Sequence, residues 1–168
     1  GIRLADLARW LGAGVPVVRT MPNRPALIGA GITAACAGSG VGHEERTAVE
    51  GVLSAVGALV WLDDESLLDA VTAISGSGPA YFFAVMEAME QAGVALGLSA
   101  EVARRLTLQT ALGSAVLATQ SGDAPATLRA QVTSPGGTTQ AALEVLQAGG
   151  LARLFNEAIG AANRRAGE

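Results

Sequence analysis

The segment Ser134-Pro135-Gly136-Gly137-Thr138-Thr139, followed by the apolar helical run Ala141 to Leu146, carries the residue types of an anion site. A Gly-Gly turn leaves backbone N–H groups uncovered by side chains. Entering a helix there aims those groups, and the positive end of the helix dipole, at one spot. Such a spot takes an anion such as a carboxylate, and Ser134, Thr138 and Thr139 add hydroxyl donors. The same residues also serve an ordinary helix start, in which Ser or Thr closes the first turn. A second segment, Ser75-Gly76-Ser77-Gly78-Pro79-Ala80-Tyr81, sets Pro79 at the first position of a helix after glycines that permit close approach of a ligand or another backbone. A plain turn between two helices explains it equally well. A third, Met21-Pro22-Asn23-Arg24-Pro25, ends a short strand. Ligands of open α/β sheets gather beyond the carboxyl ends of strands, but two prolines also suit a rigid loop.

Other chemistries are excluded by residue type. All 11 basic residues are Arg. Without Lys there is no Schiff base and no phosphate-binding lysine of the Walker kind. Cys36 and His43 are single, so no internal disulfide and no His-rich metal cage can form, and no metal site is expected. Cys36 reads as a small buried hydrophobe. His43, in Gly42-His43-Glu44-Glu45, reads as a solvated helix start, and no G-x-S-x-G elbow exists to give it a serine partner. Gly29-Ala30-Gly31-Ile32-Thr33-Ala34 matches G-x-G-x-x-A, but a dinucleotide fingerprint needs a long helix from the second glycine. Here Gly38-Ser39-Gly40 interrupts after barely two turns, so the match is set aside.

Composition narrows the class further. Hydrophobic residues are 50% of the 168 and charged ones 15%, and the mean hydropathy is +0.39, so intrinsic disorder is excluded. A net charge of −4 argues against a nucleic-acid partner held through phosphates. Pro25 to Gly42 is uncharged but dense in Gly and small polar residues, unlike a membrane span of about 20 apolar residues. No basic segment followed by an apolar one suggests a signal peptide, and the expected location is the cytoplasm.

These segments must be held by two regions of different texture. Leu4 to Leu11 places Leu4, Leu7, Ala8 and Leu11 on one helical face, and Gly12 and Gly14 end it. Val15 to Arg19 is a short β-branched run. Ala26 to Ala37 reads as strand with Gly interruptions, Glu44 to Val56 as an amphipathic helix and Ala58 to Leu62 as a last strand. Residues 1–64 thus resemble the trailing part of an α/β domain. From Glu65 onward all reads as helix: Ser66 to Ile74, Pro79 to Leu96, Ala100 to Ser121, Thr127 to Val132, Thr138 to Gln147 and Leu151 to Arg165. Residues 65–168 form the second, all-α region, and the chain is mostly α overall.

Two of these helices lack a polar face. Ala70 to Met86 and Leu106 to Gly122 carry no charge, and a surface helix should show one. Ala-rich packing inside a monomer is one explanation. The other, preferred here, is a homo-oligomer whose helices interdigitate, since obligate interfaces resemble a domain core cut in half.

Taken in order, Val17 to Thr33 (VVRTMPNRPALIGAGIT), Ala73 to Phe83 (AISGSGPAYFF) and Leu128 to Gln147 (LRAQVTSPGGTTQAALEVLQ) resemble pyrroline-5-carboxylate reductase over essentially the whole chain. The resemblance implies the end of a Rossmann domain followed by an all-helical dimerisation domain, in a dimer or an assembly of dimers. It implies reduction of 1-pyrroline-5-carboxylate to L-proline, the last step of proline synthesis, with NADPH or NADH. It places the substrate carboxylate on Ser134, Gly136, Gly137, Thr138 and Thr139, with Thr139 the donor near the ring nitrogen. It places Met21, Pro22 and Asn23 on the nicotinamide side. Arg24 stands where the family often has Thr, and Ala130 where an acidic residue is common. The family's phosphate loop lies upstream of Gly1, so this chain alone is expected to lack most of the dinucleotide site and to be inactive. The alternative is a non-catalytic helical oligomerisation module derived from such a reductase. Hydroxyacid dehydrogenases with a helical second domain use a helix-borne Lys, and there is none here.

Overall fold

Leu4, Leu7, Ala8 and Leu11 fall on one face of a helix, and the chain forms it as α1, Leu4–Leu11. The opposite face carries an Arg9–Asp6 ion pair at 2.7 Å, one turn apart. The computed structural model describes residues 1–12 and 14–168. Three strands follow: β1, Val18–Pro22, β2, Gly31–Ala37, and β3, Gly57–Leu62. The sheet order is β1-β2-β3. β1 runs antiparallel to β2, with Val18 opposite Ala37 and Pro22 opposite Thr33, whereas β2 and β3 are parallel, with Gly31 opposite Gly57 and Cys36 opposite Leu62. A parallel pair needs a crossover. It is supplied by α2, His43–Leu53, and a 3₁₀ turn over Ser54–Val56.

The strand expected from Ala26 is corrected in its first part. Arg24–Ile28 is a 3₁₀ turn with Pro25 in its first turn, closed by Gly29 at φ +72°. Proline presets the helical φ and removes an N–H that a strand would use, and the left-handed Gly29 ends the turn before β2 can begin. The helix expected to run to Val56 likewise tightens into 3₁₀ geometry after Leu53. Gly31 opens a strand rather than a helix, so the G-x-G-x-x-A match has no fingerprint geometry. Its glycine is needed for packing: a Cβ on Gly31 would lie 2.7 Å from the Ala26 Cα, and one on Gly57 would lie 2.0 Å from the Gly31 carbonyl oxygen.

β2 carries small residues, and Ala34, Ala35 and Cys36 are buried along it. Leu68 of α3, Leu67–Val71, packs on Ala34 and Cys36, with Leu4, Met21, Leu62 and Val71 around them. Cys36 is indeed a buried small hydrophobe. Burial pushes its thiol above the usual range, Glu65 and Asp64 push the same way, and Arg19 opposes them.

After β3 the described residues are helical. A π turn, Thr72–Gly76, occupies the end of the helix expected over Ser66 to Ile74. Then come α4, Gly78–Ala95, α5, Ala100–Ser121, α6, Pro125–Gln131, α7, Thr138–Ala148, and α8, Leu151–Gly167. The chain divides into two compact units, residues 1–81 with 157–168, and residues 82–156. In the second unit α4 and α5 meet where a Cβ on Gly93 would touch the Ala103 Cβ at 3.1 Å. The Ser99 hydroxyl caps α5 by accepting from the Val102 N–H at 3.3 Å. Large apolar side chains remain uncovered on both helices, Phe82 at 68%, Phe83 at 60% and Leu112 at 58% exposure among them. Where exposed apolar side chains form a large contiguous patch, they mark an interaction site.

One carboxylate ties the first unit together. Glu65 Oε1 accepts from the Leu4 N–H at 2.7 Å and from Arg19 Nη1 at 2.8 Å, joining α1, β1 and the approach to α3. Burial alone would raise its pKa, but the Leu4 bond, then the bond and charge of Arg19 and the charge of Arg3, hold it below the usual value. A carboxyl whose folded pKa is depressed stabilises the fold fully above its unfolded pKa of about 4.3, and loses that contribution as pH falls through the lower folded value. Glu65→Gln should therefore lower stability by about 1–2 kcal/mol at pH 7. In urea titrations repeated down the pH scale, the gap from the parent should narrow steadily below pH about 4.3; a gap that is constant with pH would contradict this linkage.

Candidate functional site

The loop before α7 is built by proline and two glycines. Pro135 presets φ for the second position of a β-turn, and Gly136 at φ +70° takes the third, a geometry that favours glycine. The turn is closed by the Gly137 N–H donating to the Ser134 carbonyl at 3.0 Å. Gly137 is then extended, φ −85° and ψ 173°, as the N-cap residue of α7. It has no side chain to cap the helix with, and a Cβ there would crowd the Ser134 carbonyl oxygen at 3.1 Å. The first helical hydrogen bond runs from the Ala141 N–H to the Gly137 carbonyl at 3.2 Å. By helix geometry the amides of Thr138, Thr139 and Gln140 precede any intrahelical acceptor. Ser134 and Thr138 are exposed and Thr139 is half-buried.

The structure redistributes the donors that the sequence suggested. Gly137's amide is held within the turn. Gly136's amide donates to Gln140 Oε1 at 2.8 Å, and Gln140 Nε2 in turn donates to Glu144 Oε1 at 2.8 Å. Among the described residues of the loop, the amides of Thr138, Thr139 and Gln140 and the hydroxyls of Ser134, Thr138 and Thr139 are left without a protein acceptor. Amides at the positive end of a helix, with hydroxyls beside them, suit a small carboxylate. Gln140 and Glu144 were not singled out from sequence. The signal was there: Gln at the third helical position is the reciprocal partner of a capping box, and Glu144 lies one turn further on. A groove of about 390 Å³ runs beside the loop, lined by Arg129, Ala130, Thr133, Gln140, Leu143, Glu144 and Gln147.

Ser134, Gly136, Gly137, Thr138 and Thr139 thus form one continuous turn and helix entry in the second unit. Met21, Pro22 and Asn23 lie in the first. Met21 packs into the core beside Ala34, Cys36 and Leu68, and Asn23 Oδ1 accepts from the Ile32 N–H at 3.0 Å. Pro22 is exposed. The second sequence segment belongs to this unit too. Ser77 N–H donates to the Thr72 carbonyl at 2.8 Å, closing the π turn. The hydroxyls of Thr72, Ser75 and Tyr81 donate to the Leu68, Val71 and Ala73 carbonyls. Gly76 leaves room for the end of the Met21 side chain: a Cβ there would lie 2.6 Å from Met21 Cε and displace it. The close approach permitted by these glycines is therefore that of a core side chain.

A dinucleotide's pyrophosphate needs a glycine-rich turn that opens a helix after a strand. The Gly29 to Gly31 match leads into β2 instead of a helix, and at the one glycine-rich turn among the described residues that does lead from a strand to a helix, Gly38 to Gly42 before α2, the Gly42 N–H already donates to Glu45 Oε2 at 2.8 Å. Met21, Pro22 and Asn23 do not make a dinucleotide site on their own. No group of three or more His, Cys, Asp or Glu among the described residues could hold a metal ion. No described helix is long and apolar enough to cross a membrane.

A small sheet with one antiparallel and one parallel pair, followed by helices, defines a Rossmann-like domain end joined to an all-α domain. The family model for pyrroline-5-carboxylate reductase dimerisation matches residues 65–168. The chain belongs to the pyrroline-5-carboxylate reductase family. It is 53% identical to the pyrroline-5-carboxylate reductase of Pseudomonas aeruginosa over 168 residues, which is all of this chain and 62% of that protein. The structure of a pyrroline-5-carboxylate reductase from Coxiella burnetii superposes with a TM-score of 0.95 at 41% identity, covering 98% of this chain and 61% of that one. That of the Plasmodium falciparum pyrroline carboxylate reductase, solved with NADP bound, gives 0.88 at 31% identity, covering 97% and 64%. The chain therefore spans a little over three fifths of the length of these relatives.

Proposed function

We propose that the protein reduces 1-pyrroline-5-carboxylate to L-proline, the final step of proline synthesis. The observation that carries this reading is the uncapped start of α7 behind the Ser134–Gly137 turn. The substrate is a small ring bearing a carboxylate and a C=N bond. Its carboxylate sits on the amides of Thr138 and Thr139 with the Ser134 and Thr138 hydroxyls, while Gly136 and Gly137 shape the turn. Thr139, half-buried, donates toward the ring nitrogen. Reduction adds a hydride to the ring carbon of the C=N bond and a proton to the nitrogen. NADPH or NADH supplies the hydride when bound, and Met21, Pro22 and Asn23 lie on the nicotinamide side. Orientation by an anchored carboxylate provides much of the rate in such a reaction.

We place the division between the α/β domain and the helical domain at residues 64 and 65, and we assign the exposed apolar faces of α4 and α5 to a homodimer, with larger assemblies of dimers built on it. Leu106 and Leu117, 55% and 52% exposed, lie eleven residues apart and so on one face of α5. Sedimentation should show a dimer, and Leu106→Glu with Leu117→Glu should shift it to monomer. Unaltered sedimentation of that variant would place the interface elsewhere.

Two substitutions in the full-length protein test the chemistry. Thr139→Ala should lower kcat more than about tenfold, because a hydrogen bond to developing charge is worth roughly 1–3 kcal/mol. An unchanged kcat would remove Thr139 from the reaction. Ser134→Ala should mainly raise KM for 1-pyrroline-5-carboxylate, as loss of uniform binding does, and a KM equal to the parent's would remove its contact with the carboxylate. A protein that dimerises but neither oxidises L-proline with NADP nor reduces 1-pyrroline-5-carboxylate would instead be a non-catalytic oligomerisation module.

A further inference from the structure

We infer that Gln140 is a positioning residue that holds the carboxylate loop open, with Glu144 fixing the orientation of its amide. The inference rests on the reading of the loop as a carboxylate site. In an ordinary capping box the side chain at the third helical position reaches back to the N-cap amide. Here that amide belongs to Gly137 and is already taken by the Ser134 carbonyl at 3.0 Å. Gln140 reaches one residue further and accepts from Gly136 at 2.8 Å. Gly136 is the left-handed residue of the turn, the point with the most conformational freedom to lose. Clamping it keeps the turn from folding over the Thr138 and Thr139 amides.

The amide can serve only in one orientation. Its nitrogen donates to Glu144 Oε1 at 2.8 Å, and an ionised carboxylate only accepts. Turned over, the amide would set oxygen against oxygen at Glu144 and N–H against N–H at Gly136. The clamp is also neutral where it touches the loop. A Glu at position 140 would make the same bond to Gly136, but it would bring a negative charge to the place where a carboxylate is to bind. Gln140 supplies the acceptor without that repulsion, while the formal charge of the pair stays one turn away on Glu144.

Three variants of the full-length protein separate these roles, read by hydrogen exchange of the peptide spanning residues 132–139 and by steady-state kinetics with 1-pyrroline-5-carboxylate. Gln140→Ala should speed exchange and raise KM for 1-pyrroline-5-carboxylate about tenfold, with kcat within about twofold, as loss of uniform binding requires. Glu144→Ala should do the same more weakly. Gln140→Glu should keep the slow exchange and still raise KM. Unchanged exchange in Gln140→Ala would show that no clamp exists. Faster exchange with an unchanged KM would show that the clamp does not position the substrate site. A Gln140→Glu variant with the parent's KM would overturn the charge argument. Exchange is measured without substrate, so it judges the clamp even if Ser134→Ala shows that the loop holds no carboxylate.

Discussion

At the start of α7 the chain leaves backbone N–H groups without an acceptor of its own, and the surrounding residues keep them so. A helix start is normally closed by a Ser, Thr, Asp or Asn side chain. Here the N-cap is Gly137, which has none. The proline turn and Gln140 take up the two glycine amides, so what stays open is the first turn of the helix, the amides of Thr138, Thr139 and Gln140, rather than a loose loop. Leaving such groups unsatisfied costs stability. Such an arrangement is what a preorganised receptor for the proposed substrate's carboxylate requires, since binding then needs little rearrangement. On the proposed reading, that restraint matters more than any reactive side chain.

The first unit obeys a different constraint, close approach of backbones. β2 is made of Ala and Cys where a longer side chain would push α3 away. Gly57 lets the Gly31 carbonyl come to where any Cβ would collide, and Gly76 leaves room for the end of the Met21 side chain. The half-buried polar groups around this core are tied to one another: Glu65 accepts from Arg19 and the Leu4 amide, and Asn23 accepts from the Ile32 amide at the surface. Partly desolvated polar groups are tolerated when they are paired.

These constraints were unequally visible in the sequence. Long helices such as α5 and α8 announce themselves through length and their Gly stops. β3 is a short apolar run between turn signals and was readable as such. Ala26 to Ile28 misled, because apolar residues in a short run do not reveal their period and Pro25 overrode the strand preference. The π turn over Thr72–Gly76 has no sequence signature beyond a Gly-Ser-Gly cluster, since one extra residue in a helical turn leaves the apolar pattern almost intact. In the site, the turn was legible because Pro, Gly and hydroxyl residues have backbone meanings of their own. Gln140 was legible only as a capping-box position; that it reaches past Gly137 to Gly136 shows only once the turn has taken its usual partner.

The scarcity of charge joins the two halves of the problem. A chain with 15% charged residues cannot cover its helices with a polar face, and Phe82, Phe83, Leu106 and Leu112 stand exposed on α4 and α5. Within a single copy the helical unit buries little beyond Ala103 and Thr107, far less than a domain of its size needs to offset the entropy of folding. The proposed homodimer would supply burial of this kind. Charge is also sparse beside the α7 helix start: Arg129 and Glu144 are the charged residues lining the groove there, and Glu144 accepts from Gln140. A composition poor in charge thus leaves both an uncovered apolar face on α4 and α5 and a helix start with few charged neighbours.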